Sequence, residues 1–537
     1  MRIVALAGAA VAAATLSVTS AGGAGASPAK EGGTLRVAII GDLFDSVDAA
    51  ITGFPATIPV VRATCAGLYR QPDKSTPAAA VLVPELATGY PRISDGGKTY
   101  TITIRRGLRF STGSPVTARD VVHTIDRLLD PGMKSYSGSF FRDVVGAKAV
   151  LAGKAKTATG IVAHGNSLTI HLTRPLGDFT VRLGIGVCVV PQNVPADPEG
   201  AKPPIPSAAP YYVAEYVPGQ AVVLARNTFY RGPRPHHVDR VEIDLTQDAP
   251  TIIDRVERSE LDYGWVPATD YADRVTELTR KYGVNKSRLF AVPVPFLRMF
   301  ALNTARPLFR DNTKLRQAVN FAVDRRALLR ERGVLAGTPT DQYLPPGMPG
   351  FRDERIYPLK APDLRRARAL ARGSLRTGKA ILYAPTNAVG VAQAQIVKTD
   401  LKKIGLDVHI ELFPPQVLFE KLEHSGAYDI GWIGWLADLP DPGSLLNALF
   451  DGRSIGTPAS GNFSYFDSSK YNRLLARADR LTGTPRARAF GNLDVQLARD
   501  AAPAVAYAFD YALTLVSDRV GCVVVNPYLD LAAACLR

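Results

Sequence analysis

Cysteine and histidine are scarce in this chain, at four and seven of 537 residues. No C-x-x-C occurs, and no histidine lies near Cys65, Cys188, Cys522 or Cys535 in the sequence. That scarcity argues against a zinc or cluster site, whose ligands recur at short spacings. The pair His236-His237 does not make up for it, because adjacent side chains diverge and no helix-spaced ligand joins them. The pair reads as solvated loop, and neither a metal nor a cofactor is expected. Past the first 26 residues no run reaches about 18 uninterrupted apolar residues, so no later membrane span is expected. Repeats and low-complexity tracts are also missing. Aromatic residues make up 8% and do not interleave with the arginines, which are spread along segments such as "DLRRARALARGSLR" and "PRARAF". The net charge of +15 therefore reads as solvated helix faces aiding solubility, with no nucleic-acid partner expected.

The N-terminus has Arg2, then an apolar run from Ile3 to Val18 broken only by Thr15 and Ser17, then Ala24-Gly25-Ala26. This is the pattern of a cleaved secretory signal over residues 1–26, and the run is short for a retained anchor. No cysteine follows it to carry a lipid. The mature protein is expected to be exported, periplasmic or on the outer face of the membrane. In that compartment an even number of cysteines favours disulfides. Three pairings of four are possible. Cys522 and Cys535 lie close enough in sequence to staple the C-terminus, and Cys65 with Cys188 would bracket one long segment.

A chain of this length exceeds one compact core, so two or three lobes are expected. "GGTLRVAII" reads as a strand. In "TYTITIRRG", Tyr100, Ile102 and Ile104 alternate with threonines, the period of a strand. In "SPVTARDVVHTIDRLLDP", Thr117 and Asp120 form a capping pattern. Val121, Val122, Ile125, Leu128 and Leu129 then fall on one helical face before Pro131. "DNTKLRQAVNFAVDRRALLRER" repeats the helical pattern with Leu315, Ala318, Val319, Ala322 and Leu328 inward. "AQAQIVKTDLKKIGLDVHIELF" reads as helix, Gly405 stop, strand. This alternation predicts an α/β fold. Proline-rich "AKPPIPSAAP" and "YLPPGMPG" read as exposed connections.

Two segments suggest enzyme chemistry. "GRSIG", Gly452–Gly456, matches a nucleophile elbow around Ser454. However, the preceding "LLNALFD" looks helical and "TPASGNFS" does not start a helix, whereas the elbow needs strand, turn and helix. In "GWLADLPDP", Asp438 and Asp441 stand three apart on a proline-stiffened turn. A glycosidase would need them about 5 to 9.5 Å apart across a sugar. The same turn serves equally to hold one carboxylate for a ligand's cation, or to act as a loop alone.

Several blocks, taken together, resemble the extracellular solute-binding proteins of the peptide/nickel family, which serve ABC importers. They are "ELATGYPRISDGGKTYTITIRRGLRFSTGSPVTARDVVHTIDRLLDP", "APYYVAEYVPGQAVVLARNTFYRG", "FALNTARPLFRDNTKLRQAVNFAVDRRAL", "LPPGMPGF" and "GWLADLPDP", in that order. In the second, Ala209 stands where the family usually has glycine. The resemblance implies a periplasmic-binding-protein-like clamp of type II with an extra lobe and mixed sheets. Lobe I would be 32–60, 192–292 and 512–537, lobe II 61–191 and lobe III 293–511. Crossings near 291–296 and 508–514 would be hinges, and the pairs Cys65/Cys188 and Cys522/Cys535 would each fall within one lobe. It also implies that Asp438 meets a peptide's α-ammonium, with Trp435, Trp432 and Ala437 around it, while Asp441-Pro442 shapes the turn. The expected partners are a small peptide and a permease–ATPase complex, the protein itself being a monomer and not an enzyme. Peptide carriers often hold a basic residue for the far carboxylate near "ILYAPTNAVGVAQAQ", but no Arg or Lys stands between Ile381 and Gln395. The alternatives are a carrier of oligosaccharide or metal chelate and, in another class, a secreted hydrolase.

Overall fold

The structure is a computed structural model that describes residues 30–75, 81–266, 272–424, 426–456 and 460–537. The expected signal segment lies outside these residues. Among them no helix is long and apolar enough to cross a membrane.

A mixed sheet of eleven strands forms the backbone of the molecule. Its order is Asp407–Phe413, Lys379–Pro385, Ile430–Leu436, Leu289–Leu302, Ala504–Val516, Tyr263–Val266, Thr34–Ala38, Arg240–Asp244, Ala221–Arg226 and Tyr211–Val217, with Gly337–Pro339 added beside Ala504–Val516. Two long antiparallel strands, Leu289–Leu302 and Ala504–Val516, stand at its centre and join its halves. Their register slips between Pro293 and Leu297, because proline cannot donate to the ladder. The slip falls within the crossing expected near 291–296. A separate four-stranded antiparallel sheet runs Arg92–Ser94, Thr99–Thr103, Ser167–His171, Ile161–His164. Tyr100, Ile102 and Ile104 are buried on one side of it, as their alternation required.

The buried side chains gather in several clusters. One draws on residues between Ala50 and Ala209. Another combines residues 35–63, 205–263 and 516–536. Two more lie on opposite sides of the sheet, both within residues 297–509. Gathering sequence-distant segments into one core is what ties the C-terminus to the N-terminal strand.

The helix Ala118–Leu129 starts as expected, with the Asp120 carboxylate accepting from Thr117 N–H and hydroxyl, each at 2.7 Å. The pattern at 311–332 is two helices rather than one. Thr313–Ala322 is capped by Asn312, and Arg325–Arg330 is restarted by Asp324, whose side chain accepts from Ala327 N–H at 2.9 Å. The loop "YLPPGMPG" is not simply exposed: Tyr343 and Leu344 are buried. Their N–H groups donate to the buried Asp494 carboxylate at 2.9 and 3.2 Å, which makes their burial tolerable. "AKPPIPSAAP" is likewise buried in its second half, at Ile205 and Ser207–Pro210.

Cys522 and Cys535 form a disulfide with Cα atoms 5.3 Å apart. The second expected bridge is not formed, since Cys65 and Cys188 carry free thiols. They are nonetheless neighbours, brought together where Val189 N–H donates to Ala66 C=O at 3.0 Å. The hydrogen bond with Cys188, and then burial, push the Cys65 thiol well above its usual range.

Candidate functional site

The strand Ile430–Leu436 pairs with the central strand, Trp435 opposite Leu297 and Leu436 opposite Phe296. Beyond it Ala437 N–H donates to Pro295 C=O at 2.9 Å, fastening the turn to the crossing. Asp441 then caps the helix Pro442–Phe450, with Pro442 at its first position. Its carboxylate accepts from Gly443 N–H at 2.8 Å and, through both oxygens, from Arg486 Nε and Nη2 at 2.8 and 2.7 Å. Asp441 is therefore fully occupied with shaping the turn, as expected.

Asp438 is the opposite case. It is half-buried, and burial pushes its carboxyl up to about 6, opposed only by a hydrogen bond from the Tyr136 hydroxyl. No lysine or arginine among the described residues contributes to holding it charged. Tyr136 comes from a distant part of the chain, just before the short turn Ser137–Phe141. Its phenol is itself raised by burial first and by Asp438 second. A second contact crosses nearby, where Gly177 N–H donates to Asp479 C=O at 2.8 Å. A Cβ on Gly177 would lie 1.7 Å from Leu481 C=O, so only glycine allows this approach. The residues around Ala50–Ala209 and those around 430–490 thus close on each other at two points, one of them the Asp438 carboxylate.

The two expected tryptophan walls do not stand together. Residues 432 and 435 are three apart on a strand, so their side chains leave opposite faces. Trp435 packs on Phe463 with ring centroids 6.2 Å apart and lies over Gly461. Its indole N–H is buried without a hydrogen-bond partner among the described residues. The Trp432 indole instead donates to Gln393 Oε1 at 2.6 Å. Tyr136 escaped sequence reading altogether, because nothing in "GMKSYSG" marks a residue whose role depends on what faces it.

The nucleophile elbow is not assembled. Ser454 ends a short turn behind a helix and donates to Asp451 C=O at 2.7 Å, so the required strand–turn–helix is missing. His236 approaches Arg234 C=O at 3.0 Å and His237 approaches Glu31 at 2.7 Å. Among the described residues no group of three or more His, Cys, Asp or Glu is placed to hold a metal ion.

The comparison with known families meets this geometry at its centre. Residues 81–457, which include both sides of the Tyr136–Asp438 contact, match the model for bacterial extracellular solute-binding proteins, family 5. The chain belongs to that family. The oligopeptide-binding protein OppA of Bacillus subtilis is 26% identical to this binding protein over 408 residues, 72% of each chain. The heme-binding protein A of Haemophilus influenzae is 26% identical over 479 residues, 83% of this chain and 82% of its own. Among solved structures, the clavulanic acid biosynthesis oligopeptide binding protein 2 superposes with a TM-score of 0.84 at 25% identity, covering 94% of this chain and 96% of that one. The α/β clamp read from the sequence is thus the architecture of the solved relatives.

Proposed function

We propose that this binding protein captures short peptides outside the cytoplasm for an ABC importer, closing on them and presenting them to the permease and its ATPase. One observation carries the reading. Asp438 is a half-buried carboxylate with no cation beside it among the described residues, placed where two lobes meet, on a turn that Asp441, Arg486 and Pro442 hold rigid. A buried charge without a partner is costly, and a ligand ammonium removes that cost. A preset loop loses little entropy when the ligand arrives. In the free protein the Tyr136 hydroxyl partly fills the place of that ammonium. The oligopeptide relatives point to the same ligand class. The heme-binding relative makes a non-peptide solute the alternative, for which Asp438 would have no evident use.

In this reading the lobes are 32–60 with 192–292 and 512–537, then 61–191, then 293–511. The separate core clusters and the register slip at Pro293–Leu297 support these limits. The ligand lies between them and shifts the clamp toward its closed state through contacts that exist only when both sides meet it. The protein acts as an exported, monomeric carrier and not as an enzyme. Native mass spectrometry of freshly purified protein, followed by calorimetric titration with the peptide it carries, tests the proposal. A peptide should be released unchanged, and Asp438→Asn should weaken it by about tenfold or more, the lower bound for a truncated buried charge pair. Equal affinities would remove Asp438 from the site.

A further inference from the structure

The contact at Gly177 joins the two sides through backbone and buried charge. Gly177 lies in the turn between the strand Ser167–His171 and the short helix Phe179–Ile185. Its neighbours fix that turn to the core on their own side. Leu176 C=O accepts from the Tyr100 hydroxyl at 2.7 Å, and the Asp178 carboxylate accepts from Arg182 Nε and Nη2 at 3.0 and 2.8 Å. The buried Phe179 ring meets Tyr100 edge-on with centroids 4.9 Å apart. The turn is therefore rigid, and it presents the Gly177 N–H outward.

Facing it is the end of the helix Ser469–Asp479, where the last carbonyls lack the partners of a helix interior. Arg486 Nη1 donates to Ala478 and Asp479 C=O, each at 3.1 Å. Gly177 N–H gives Asp479 C=O a further bond at 2.8 Å, so one side caps a helix of the other. Asp479 Oδ1 accepts from Asn447 Nδ2 at 2.9 Å and stands 3.7 Å from Arg486 Nη2, which fixes this side as well. Charge adds to the contact in both directions. Burial opposes the charge on Arg486 and Arg182, yet each guanidinium is raised above its ordinary value. For Arg486 the cause is Asp441, then Asp178 across the contact and Asp479. For Arg182 it is Asp178, then Asp143 and, across the contact, Asp479.

We propose that this contact is a latch that lets a share of the ligand-free protein close, with glycine at position 177 as its condition. A Cβ there would stand 1.7 Å from the Leu481 carbonyl oxygen and 2.8 Å from its carbon, both backbone atoms. Neither side can give way, because the turn and the helix end are each held by their own lobe. A larger residue at 177 therefore forces the lobes apart. Arg486 ties the latch to the site: the same guanidinium grips Asp441, three residues from Asp438. Setting the latch thus brings the Asp438 turn up to Tyr136. The latch uses no group assigned to the ligand, so it goes beyond the peptide reading and rests only on the lobe limits 61–191 and 293–511. A ligand that meets both lobes then enlarges a closed population that already exists.

Wild type and Gly177→Ala, both dialysed from urea to remove bound ligand, test this by small-angle scattering and by hydrogen exchange read in a mass spectrometer. The variant should have the larger radius of gyration. Its amide at position 177 should exchange about tenfold faster or more, as one lost hydrogen bond plus a clash requires. The strand Ser167–His171 and the helix Phe179–Ile185 should keep wild-type protection, which a merely local loss of stability would not leave. An unchanged radius with unchanged exchange would overturn the proposal, and so would faster exchange throughout that strand and helix at an unchanged radius. Should circular dichroism show the variant unfolded, native-state exchange of wild type in low urea decides. Opening of the Gly177 amide well below the free energy of global unfolding supports the latch, and exchange only through global unfolding refutes it. If Gly177→Ala opens the clamp while Asp438→Asn leaves peptide affinity unchanged, the latch stands and the ammonium reading alone fails.

Discussion

At the scale of single residues, two aspartates three apart on one turn have opposite fates, and the neighbours of each decide which. Asp441 is satisfied by a helix N-terminus and a guanidinium, whereas among the described residues Asp438 meets only a phenol. The sign of its pH dependence follows. The folded carboxyl titrates at about 6 against an ordinary value of 3.8. Its charged form is thus a cost to the unliganded fold, felt above pH 6 and gone below pH 4, of at most about 3 kcal/mol by linkage. Asp438→Asn should therefore raise the melting temperature of ligand-free protein at pH 7.5 and leave it unchanged near pH 4, as scanning calorimetry would show. Peptide affinity should move the other way. Only the carboxylate pairs with an ammonium, so affinity should fall by up to about tenfold per unit as pH drops below 6. Calorimetric titrations at pH 7.5 and 5 would show this, and a flat profile would contradict it.

At the scale of elements, the turn depends on a buried ion pair between the helix Pro442–Phe450 and Arg486 on the helix Gly483–Gln496. Arg486 also donates from Nη1 to Ala478 and Asp479 C=O, each at 3.1 Å. Arg486→Ala should cost about 3–5 kcal/mol in urea unfolding, because it leaves Asp441 buried and unpaired. The C-terminal strand pair Val520–Gly521 with Cys535–Leu536 is closed by a disulfide across 13 residues. Replacing both cysteines by serine should cost about 3 kcal/mol, the loop-entropy value for so short a closure. Thermal midpoints with and without reductant would measure it. Helix boundaries carried by capping residues were readable in sequence, as Thr117 and Asp120 show. The break at Val323–Asp324 was not, because an aspartate inside an apolar periodicity looks like a solvent-facing position until its side chain is seen to cap.

At the scale of the whole molecule, two long central strands join the halves of the sheet and carry the Arg298–Asp510 ion pair between them. In the proposed reading, a peptide held at Asp438 should stabilise the closed form and narrow its distribution. Small-angle scattering should show a smaller radius of gyration once the protein is saturated with the peptide found by mass spectrometry. By itself the sequence determined the α/β class, the family, the turn around Asp438 and the structural role of Asp441. These are written in periodicity, caps and contiguous blocks, which act over a few residues. Only the tertiary structure decided that Tyr136 faces Asp438, that Trp432 and Trp435 turn away from each other, and that Arg298, Arg332 and Asp510 meet. Those groups lie as much as about 300 positions apart in the chain. Burial and unbalanced charge, the forces that give them meaning, exist only once the sheet has brought them together.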